Sequence, residues 1–218
     1  MNNRVCKTLL GASIMALAAT AWCRPAAADI FTIVGVNDPT LTADVDFVYD
    51  SGKVDIDITN NSPYDARLTA FAFNTPAAVT GITGFTGPSG WSSLYDPDGI
   101  NTAGQFGLYD AAGLTGANFN GGKPNDGIPP SQTYNFSFTL AGDLTGLTTS
   151  DFLSQLSANE RGQTDPQYFI GRFQRTGANG EGSDVAIPKN VPPVPEPATM
   201  LLVGVGLGLA GLKKKIAG

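Results

Sequence analysis

Residues 41–59 read LTADVDFVYDSGKVDIDIT, and apolar and polar side chains alternate on both sides of a Ser51-Gly52 pair. A period of two predicts two β-strands, Leu41–Tyr49 and Val54–Thr59, which the Ser-Gly turn joins as a hairpin. Residues that face each other across such a hairpin must share one face of the sheet. This condition is met when the numbers of paired residues sum to 103, which places Tyr49 opposite Val54.

The same register places four acidic side chains on the outer face of the hairpin, with Asp46 opposite Asp57 and Asp44 and Asp55 beside them. Like charges directly opposite each other destabilise a sheet when their Cβ atoms are about 5 Å apart. Either water screens these charges or a cation bridges them. Calcium is the candidate cation, because carboxylate oxygens are its preferred protein ligands.

The Asp96-Pro97-Asp98-Gly99 segment shares some residue types with a calcium loop. It lacks the glycine that such a loop needs at its sixth position and the glutamate that it needs at its twelfth. We interpret it as a tight turn.

On both sides of the hairpin, the chain has further short segments that are apolar or alternate between apolar and polar residues. Turns rich in Gly, Asn, Asp and Pro separate them. They predict six further strands, of which the first and last are candidates for sheet edges: Ile30–Val36, Leu68–Phe73, Val79–Phe85, Thr133–Leu140, Tyr168–Gln174 and Asp184–Ile187. Thr148-Thr149-Ser150-Asp151 resembles a capping box and predicts one short helix carrying Phe152, Leu153 and Leu156. The pattern predicts an all-β fold, an antiparallel β-sandwich of the jelly-roll or Ig-like type with one short helix.

Residues 87–130 are predicted to be rich in loops, with aromatic and apolar side chains scattered among glycines and prolines: Trp91, Tyr95, Phe106, Leu108, Tyr109 and Phe119. Two interpretations remain. The aromatic rings can fold back and fill the core. Alternatively, Trp91 and Tyr95 can form an exposed stacking platform, which would make the body a carbohydrate-binding module.

The composition excludes most hydrolase mechanisms. The chain has no histidine, and its two cysteines are Cys6 and Cys23. The chain therefore cannot form a serine or cysteine nucleophile that is activated by histidine. It also lacks the histidine ligands of the usual zinc sites. A glycosidase that uses paired carboxylates is chemically possible, but none of the three glutamates lies on a predicted core strand. We expect a protein that is not an enzyme and has no cofactor, apart from the calcium alternative.

The two ends of the chain carry targeting features. Arg4 and Lys7 precede an apolar stretch, and Ala26-Ala27-Ala28 follows it, which predicts a signal peptide cleaved by signal peptidase after Ala28, with recognition of Ala26 and Ala28 and Asp29 as the first mature residue. Residues 29–197 then hold seven basic and 19 acidic side chains, a net charge of −12. Such a surface repels nucleic acid.

The C-terminal end has three features in a fixed order. Val194-Pro195-Glu196-Pro197-Ala198 is an extended segment, because the prolines prevent a helix. An apolar run to Leu212 predicts a transmembrane helix of about 22 Å, short against a hydrocarbon core of about 30 Å. Gly204, Gly208 and Gly211 share one face of this helix, which permits close packing with another helix. Lys213, Lys214 and Lys215 predict a cytoplasmic stop.

These features resemble the PEP-CTERM sorting signal of Gram-negative bacteria, also known as the ice-binding-protein C-terminal domain type. The resemblance implies recognition by an exosortase, an integral-membrane protease or transpeptidase, and transfer of the body to the cell surface or an extracellular polysaccharide matrix. Lysine replaces the commoner arginine in the basic cluster.

The expected organisation is a signal peptide (1–28), a β-sandwich domain (29–187), a Pro-rich linker (188–193) and the sorting signal (194–218). The expected product is a structural or adhesive exported protein associated with exopolysaccharide. It would be anchored transiently in the inner membrane as a precursor and would then lie at the cell surface or outside the cell.

Overall fold

The computed structural model describes residues 28–102, 104–158 and 164–189. These residues form ten β-strands, one short α-helix and two 3₁₀ turns. The strands are β1 (Asp29–Gly35), β2 (Thr42–Asp50), β3 (Lys53–Asn60), β4 (Arg67–Phe73), β5 (Val79–Thr86), β6 (Ser92–Asn101), β7 (Leu108–Leu114), β8 (Thr133–Gly142), β9 (Phe169–Thr176) and β10 (Gly182–Pro188). The prediction of an all-β fold with one short helix is confirmed, and so are all eight predicted strands.

All ten strands belong to one antiparallel sheet in the order β5-β8-β3-β2-β1-β10-β9-β4-β7-β6. The sheet curls into a nearly closed barrel, so that its edge strands β5 and β6 approach each other. The Tyr95 hydroxyl on β6 donates to the carbonyl of Val79 on β5 at 3.1 Å across this seam. A division into the two sheets of a sandwich, of either the jelly-roll or the Ig-like type, is therefore not confirmed.

The prediction that β1 and β10 are sheet edges is wrong. They lie in the middle of the sheet and pair with each other, with Ile33 opposite Pro188 and Gly35 opposite Ala186. The pairing brings together strands from the two ends of the described chain. The alternation of apolar and polar residues within a strand does not indicate which other strand it pairs with.

The hairpin register is confirmed. β2 and β3 pair with Tyr49 opposite Val54, Phe47 opposite Ile56 and Asp46 opposite Asp57. Ser51 and Gly52 both have positive φ in the turn, 49° and 88°. β8 continues the ladder on the other side of β3, with Phe136 opposite Ile56, so the apolar faces of the three strands are continuous.

Two clusters of buried side chains lie on opposite faces of the curled sheet. The larger one contains the inward residues of β1, β2, β3 and β8 together with Phe71, Phe73, Phe169 and Phe173. The smaller one lies on the outer face of β4, β7 and β9 and includes Tyr109 and Ile170. Phe106 and Phe119, from the segments that flank β7, cover this outer cluster. Parts of β4, β7 and β9 are therefore buried on both faces, whereas β2, β3 and β8 expose polar side chains.

Residues 87–130 are rich in loops, as predicted, but they also contain two strands that the sequence pattern did not indicate, β6 and β7. Alanine and glycine at positions 111–113 of β7 have low strand propensity. The structure requires small residues there, since a Cβ added to Gly113 would lie 2.5 Å from the Phe71 ring. The Asp96–Gly99 segment lies inside β6 at a register shift, where the Asp98 amide donates to the Asp96 carboxylate at 3.0 Å.

The predicted helix is present but shorter than expected. It spans Thr149–Leu153, and the Asp151 carboxylate accepts a hydrogen bond from the Thr148 amide at 2.7 Å. Phe152 stacks on Tyr49 at the end of β2, with ring centres 5.0 Å apart. Leu156 lies outside the helix and is exposed. The chain becomes extended there because Ser157 bonds to the carbonyl of Gln167 and Ala158 pairs with Leu108.

We expect Asn60→Ala to destabilise the fold. The buried Asn60 amide donates to the carbonyls of Ala66 and Ile128, each at 2.8 Å, and accepts from the Ser62 amide at 2.9 Å. Each buried polar group left without a partner costs about 1–3 kcal/mol, so we expect a loss of roughly 3 kcal/mol in the free energy of unfolding. Urea denaturation measures it. Ser89→Ala at an exposed position is the control and should change the free energy by less than about 0.5 kcal/mol.

Candidate acidic face on the outside of the barrel

Polar side chains line the outer face of β2, β3 and β8, which is the predicted aspartate surface. One cross-strand row runs Asp44, Thr59, Thr133, and the next runs Asp46, Asp57, Asn135. Asp55 lies in a third row, opposite Val48 and Ser137. We call the surface of Asp44, Asp46, Asp50, Asp55 and Asp57 the acidic face. Lys53, opposite Asp50, supplies one positive charge there, so the net charge is −4.

Two of the four predicted aspartates have hydrogen-bond donors from neighbouring strands and turns. The Asp44 carboxylate accepts from the Thr32 hydroxyl at 2.7 Å and from the Asn61 amide at 2.8 Å. The Asp57 carboxylate accepts from the Asn135 side chain at 2.6 Å. Such donors stabilise ionised carboxylates without a metal ion.

Asp46 has the least favourable surroundings of the carboxylates on the acidic face. Its Oδ1 atom is buried without a hydrogen-bond partner among the described residues. Burial raises the pKa of Asp46, and the negative charge of Asp57 opposite raises it further. The opposition predicted from the hairpin register thus has the expected electrostatic consequence.

Calcium binding on the acidic face stays a prediction. In residues 28–102, 104–158 and 164–189, no group of three or more Asp, Glu, His or Cys side chains is arranged to hold a metal ion. The structure brings Asp46 and Asp57 together as a pair.

The two residues proposed for sugar stacking pack inward. Trp91 is 8% exposed, and its indole N–H donates to the carbonyl of Asp126 at 2.8 Å. The Trp91 ring lies 4.7 Å from the Phe136 ring, centre to centre. Tyr95 is partly buried against the same core and forms the seam contact to Val79. This geometry favours the interpretation that these aromatic rings fill the core, and it leaves neither ring as an open platform.

A basic surface, which the sequence patterns did not indicate, lies on the outer side of β4 and β9. Asp65 accepts from Arg67 and from Arg175, each at 2.8 Å, and Arg175 also donates to Asn125 at 2.7 Å. Arg172 donates to the Ser183 hydroxyl at 3.0 Å, while its Nε atom is buried without a partner among the described residues. Burial lowers the pKa of Arg172, partly offset by Asp184. Only the strand pairing of β4 with β9 brings these arginines together.

Most of the predicted targeting residues lie outside the described residues: Ala26, Val194–Ala198, Gly204, Gly208, Gly211 and Lys213–Lys215. Ala28 is exposed and Asp29 is the first residue of β1, so the predicted cleavage point directly precedes the sheet. The described helix and 3₁₀ turns are all too short to cross a bilayer. The boundaries of the predicted segments stay predictions.

The comparison with protein families finds the PEP-CTERM protein-sorting motif at residues 193–215. The predicted resemblance is confirmed for this segment, which marks the chain as an exported protein with a C-terminal sorting signal. No curated protein and no solved structure matches the chain.

We expect Asp46→Asn to stabilise the fold at neutral pH. A carboxyl group whose pKa is raised by folding destabilises the fold once it is ionised, so the cost is absent well below pH 3.8 and fully present at pH 7. Removing it should raise the free energy of unfolding at pH 7 by up to about 1 kcal/mol, the usual scale of a cross-strand pair. Denaturation at pH 7 and pH 3 should show the gain only at pH 7.

Asp44→Asn is the matched control for this experiment. It changes the charge equally but replaces an acceptor that Thr32 and Asn61 both use. We expect it to leave stability at pH 7 unchanged or lower it. A gain equal to that of Asp46→Asn would contradict a specific repulsion between Asp46 and Asp57.

Calcium is tested by comparing melting temperatures in calcium chloride and in sodium chloride at matched ionic strength. A bound ion stabilises only the folded state, so it predicts a calcium-specific rise that Asp46→Asn with Asp57→Asn abolishes. Equal rises in melting temperature in the two salts would show that ions screen the acidic face in general and that calcium does not bind it specifically.

Proposed function

We propose that this protein is a non-enzymatic structural or adhesive component of the cell surface or extracellular matrix, delivered there by its sorting signal and associated with exopolysaccharide. The observation that carries the proposal is the PEP-CTERM motif at residues 193–215. Such a motif implies a membrane-anchored precursor and processing by an exosortase. The predicted signal peptide supplies the matching export step at the other end of the chain.

The described body supports this proposal. Its stability comes from packing of a continuous aromatic and aliphatic core, in a chain whose cysteines both lie within the predicted signal peptide. A fold without a disulfide does not depend on the redox state of the compartment that it enters. The polar outer face of β2, β3 and β8 offers an extended surface for contacts outside the cell. The buried Trp91 gives the carbohydrate-binding alternative no stacking platform, so we do not adopt it.

The sorting step is tested with Glu196→Ala combined with Pro197→Ala. The change removes the recognisable part of the motif while leaving the apolar run and the lysines intact. We expect the variant to accumulate in the membrane fraction at the full precursor size, whereas the wild-type body reaches the surface fraction. Fractionation followed by immunoblotting measures the distribution.

Asn190→Ala with Pro192→Ala is the control for this variant. Both positions lie just outside the matched segment and should leave sorting unchanged. If the motif variant reaches the surface as efficiently as the wild type, the tail is an ordinary membrane anchor and the proposal fails.

A second test concerns the glycine face of the apolar run. Gly204 and Gly208 are four residues apart, so they share one face of a helix and permit close backbone approach by a partner helix. Replacing both with leucine keeps the segment hydrophobic. We expect membrane insertion to persist and processing to slow, as measured by pulse-chase labelling. Unchanged processing would contradict docking of this face against the processing enzyme.

A further inference from the structure

The acidic face and the basic surface, which is rich in arginine and lysine, lie on different sides of the barrel. The acidic face lies on β2 and β3, and the basic surface lies on β4 and β9. Two strands, β1 and β10, separate them along the sheet in one direction. In the other direction lie β8, β5, the seam, β6 and β7. In a nearly closed barrel the two surfaces therefore face different directions and cannot neutralise each other within one molecule.

The basic surface concentrates most of the positive charge of the described body. We define it by Arg67, Lys123, Arg172 and Arg175, which are four of the six basic side chains in the described residues. Arg67 pairs with Gln174 across β4 and β9, which makes it a diagonal neighbour of Arg172 on the same face. Lys123 is exposed and begins the segment whose Asn125 binds Arg175.

Two of the four cations there, Lys123 and Arg172, form no ion pair among the described residues. Asp65 binds both Arg67 and Arg175, and the other acidic residues in the adjoining segments are Asp126, Glu181 and Asp184. Asp184 is buried, and its carboxylate accepts a hydrogen bond from the Asn37 side chain. The Arg172 guanidinium donates to the Ser183 hydroxyl, and no carboxylate of the described part of the chain lies within ion-pair distance of it. A half-buried guanidinium is stabilised when a carboxylate binds it, because its planar N–H groups match the two oxygens.

We propose that the basic surface docks on the acidic face of a second copy of this chain. The chain itself supplies the carboxylate-rich surface that these cations require. Because the two surfaces differ, the contact is heterologous and leaves one free surface of each kind at the ends of the assembly. Copies therefore join head to tail into open chains, a form suited to the structural role proposed above. The contact belongs to the folded body and does not depend on the sorting step.

Ionic strength gives this contact a distinctive signature. The body carries a net charge of −12, so copies repel each other when salt is very low. The Debye length is about 10 Å at 0.1 M salt and 3 Å at 1 M, so intermediate salt screens the net repulsion while surfaces in contact still attract. We expect association to be strongest near 0.1 M sodium chloride and at least about tenfold weaker at 1 M. Association through apolar surfaces would strengthen with salt instead.

The experiment uses the full chain in an uncharged detergent, with more micelles than protein chains. Mixed copies with normal and heavy nitrogen are treated with a carbodiimide, which joins a lysine amine to a carboxylate that touches it. We expect crosslinked peptides of mixed isotope that join Lys123 to Asp55 or Asp57. Absence of mixed-isotope crosslinks, or sedimentation as single copies at every salt concentration, would overturn the proposal.

Paired variants separate this contact from general charge effects. Asp55→Asn with Asp57→Asn removes part of the acidic face, and Lys123→Gln with Arg172→Gln removes part of the basic surface. Each variant alone should sediment as single copies. Mixed together they should form one-to-one complexes, since each keeps the surface that the other has lost.

The controls change the net charge by the same amount without removing a residue of the basic surface or an aspartate of the acidic face. They are Asp98→Asn with Asp143→Asn and Lys53→Gln with Lys189→Gln, and both should still form chains. If the surface variants assemble like these controls, or if the mixture stays as single copies, the head-to-tail contact does not exist. The sorting variants of the previous subsection change only the tail, so a failure of the sorting proposal would leave this result unaffected.

Discussion

The packing of the Phe71 ring holds the curled sheet together. This β4 side chain lies 4.8 Å from the Phe136 ring of β8 and 5.8 Å from the Phe169 ring of β9, centre to centre, and Trp91 lies 5.9 Å away. β8 and β9 are five places apart in the strand order, so one ring joins the two halves of the sheet. Gly113 leaves the space that the ring occupies. The aromatic cluster thus determines how far the sheet curls and which faces remain outside.

That constraint accounts for the two-sided character of the barrel. Where outer segments such as Phe106 and Phe119 cover the sheet, the strands are apolar on both faces and contain alanine and glycine. Where nothing in the described chain covers it, the same alternation that fills the core presents aspartate, threonine and asparagine to solvent. The acidic face and the basic surface are therefore consequences of strand order, since each forms from side chains that point away from the core.

Local pattern was sufficient for some features of the fold and insufficient for others. The β2–β3 register was predictable because one short turn and the alternation fix it, and with it the opposition of Asp46 and Asp57. β7 was not predictable, because its alanines and glycine have low strand propensity. They are small because they pack against the Phe71 ring and the outer cluster, and the local sequence does not show these contacts. The pairing of β1 with β10 and of β4 with β9 joins segments far apart in sequence, so neither the single sheet nor the grouping of Arg67 with Arg172 was predictable.

The targeting ends were the part of the chain whose chemistry could be interpreted from order alone, because proline, apolar residues and lysine act through composition and position. We infer that these ends are addresses and that the described barrel is the delivered product. Intact mass spectrometry of the protein from the surface fraction tests it most directly. The account predicts a species that begins at Asp29 and lacks residues 201–215. A surface species that retains either residues 1–28 or residues 201–215 would contradict it.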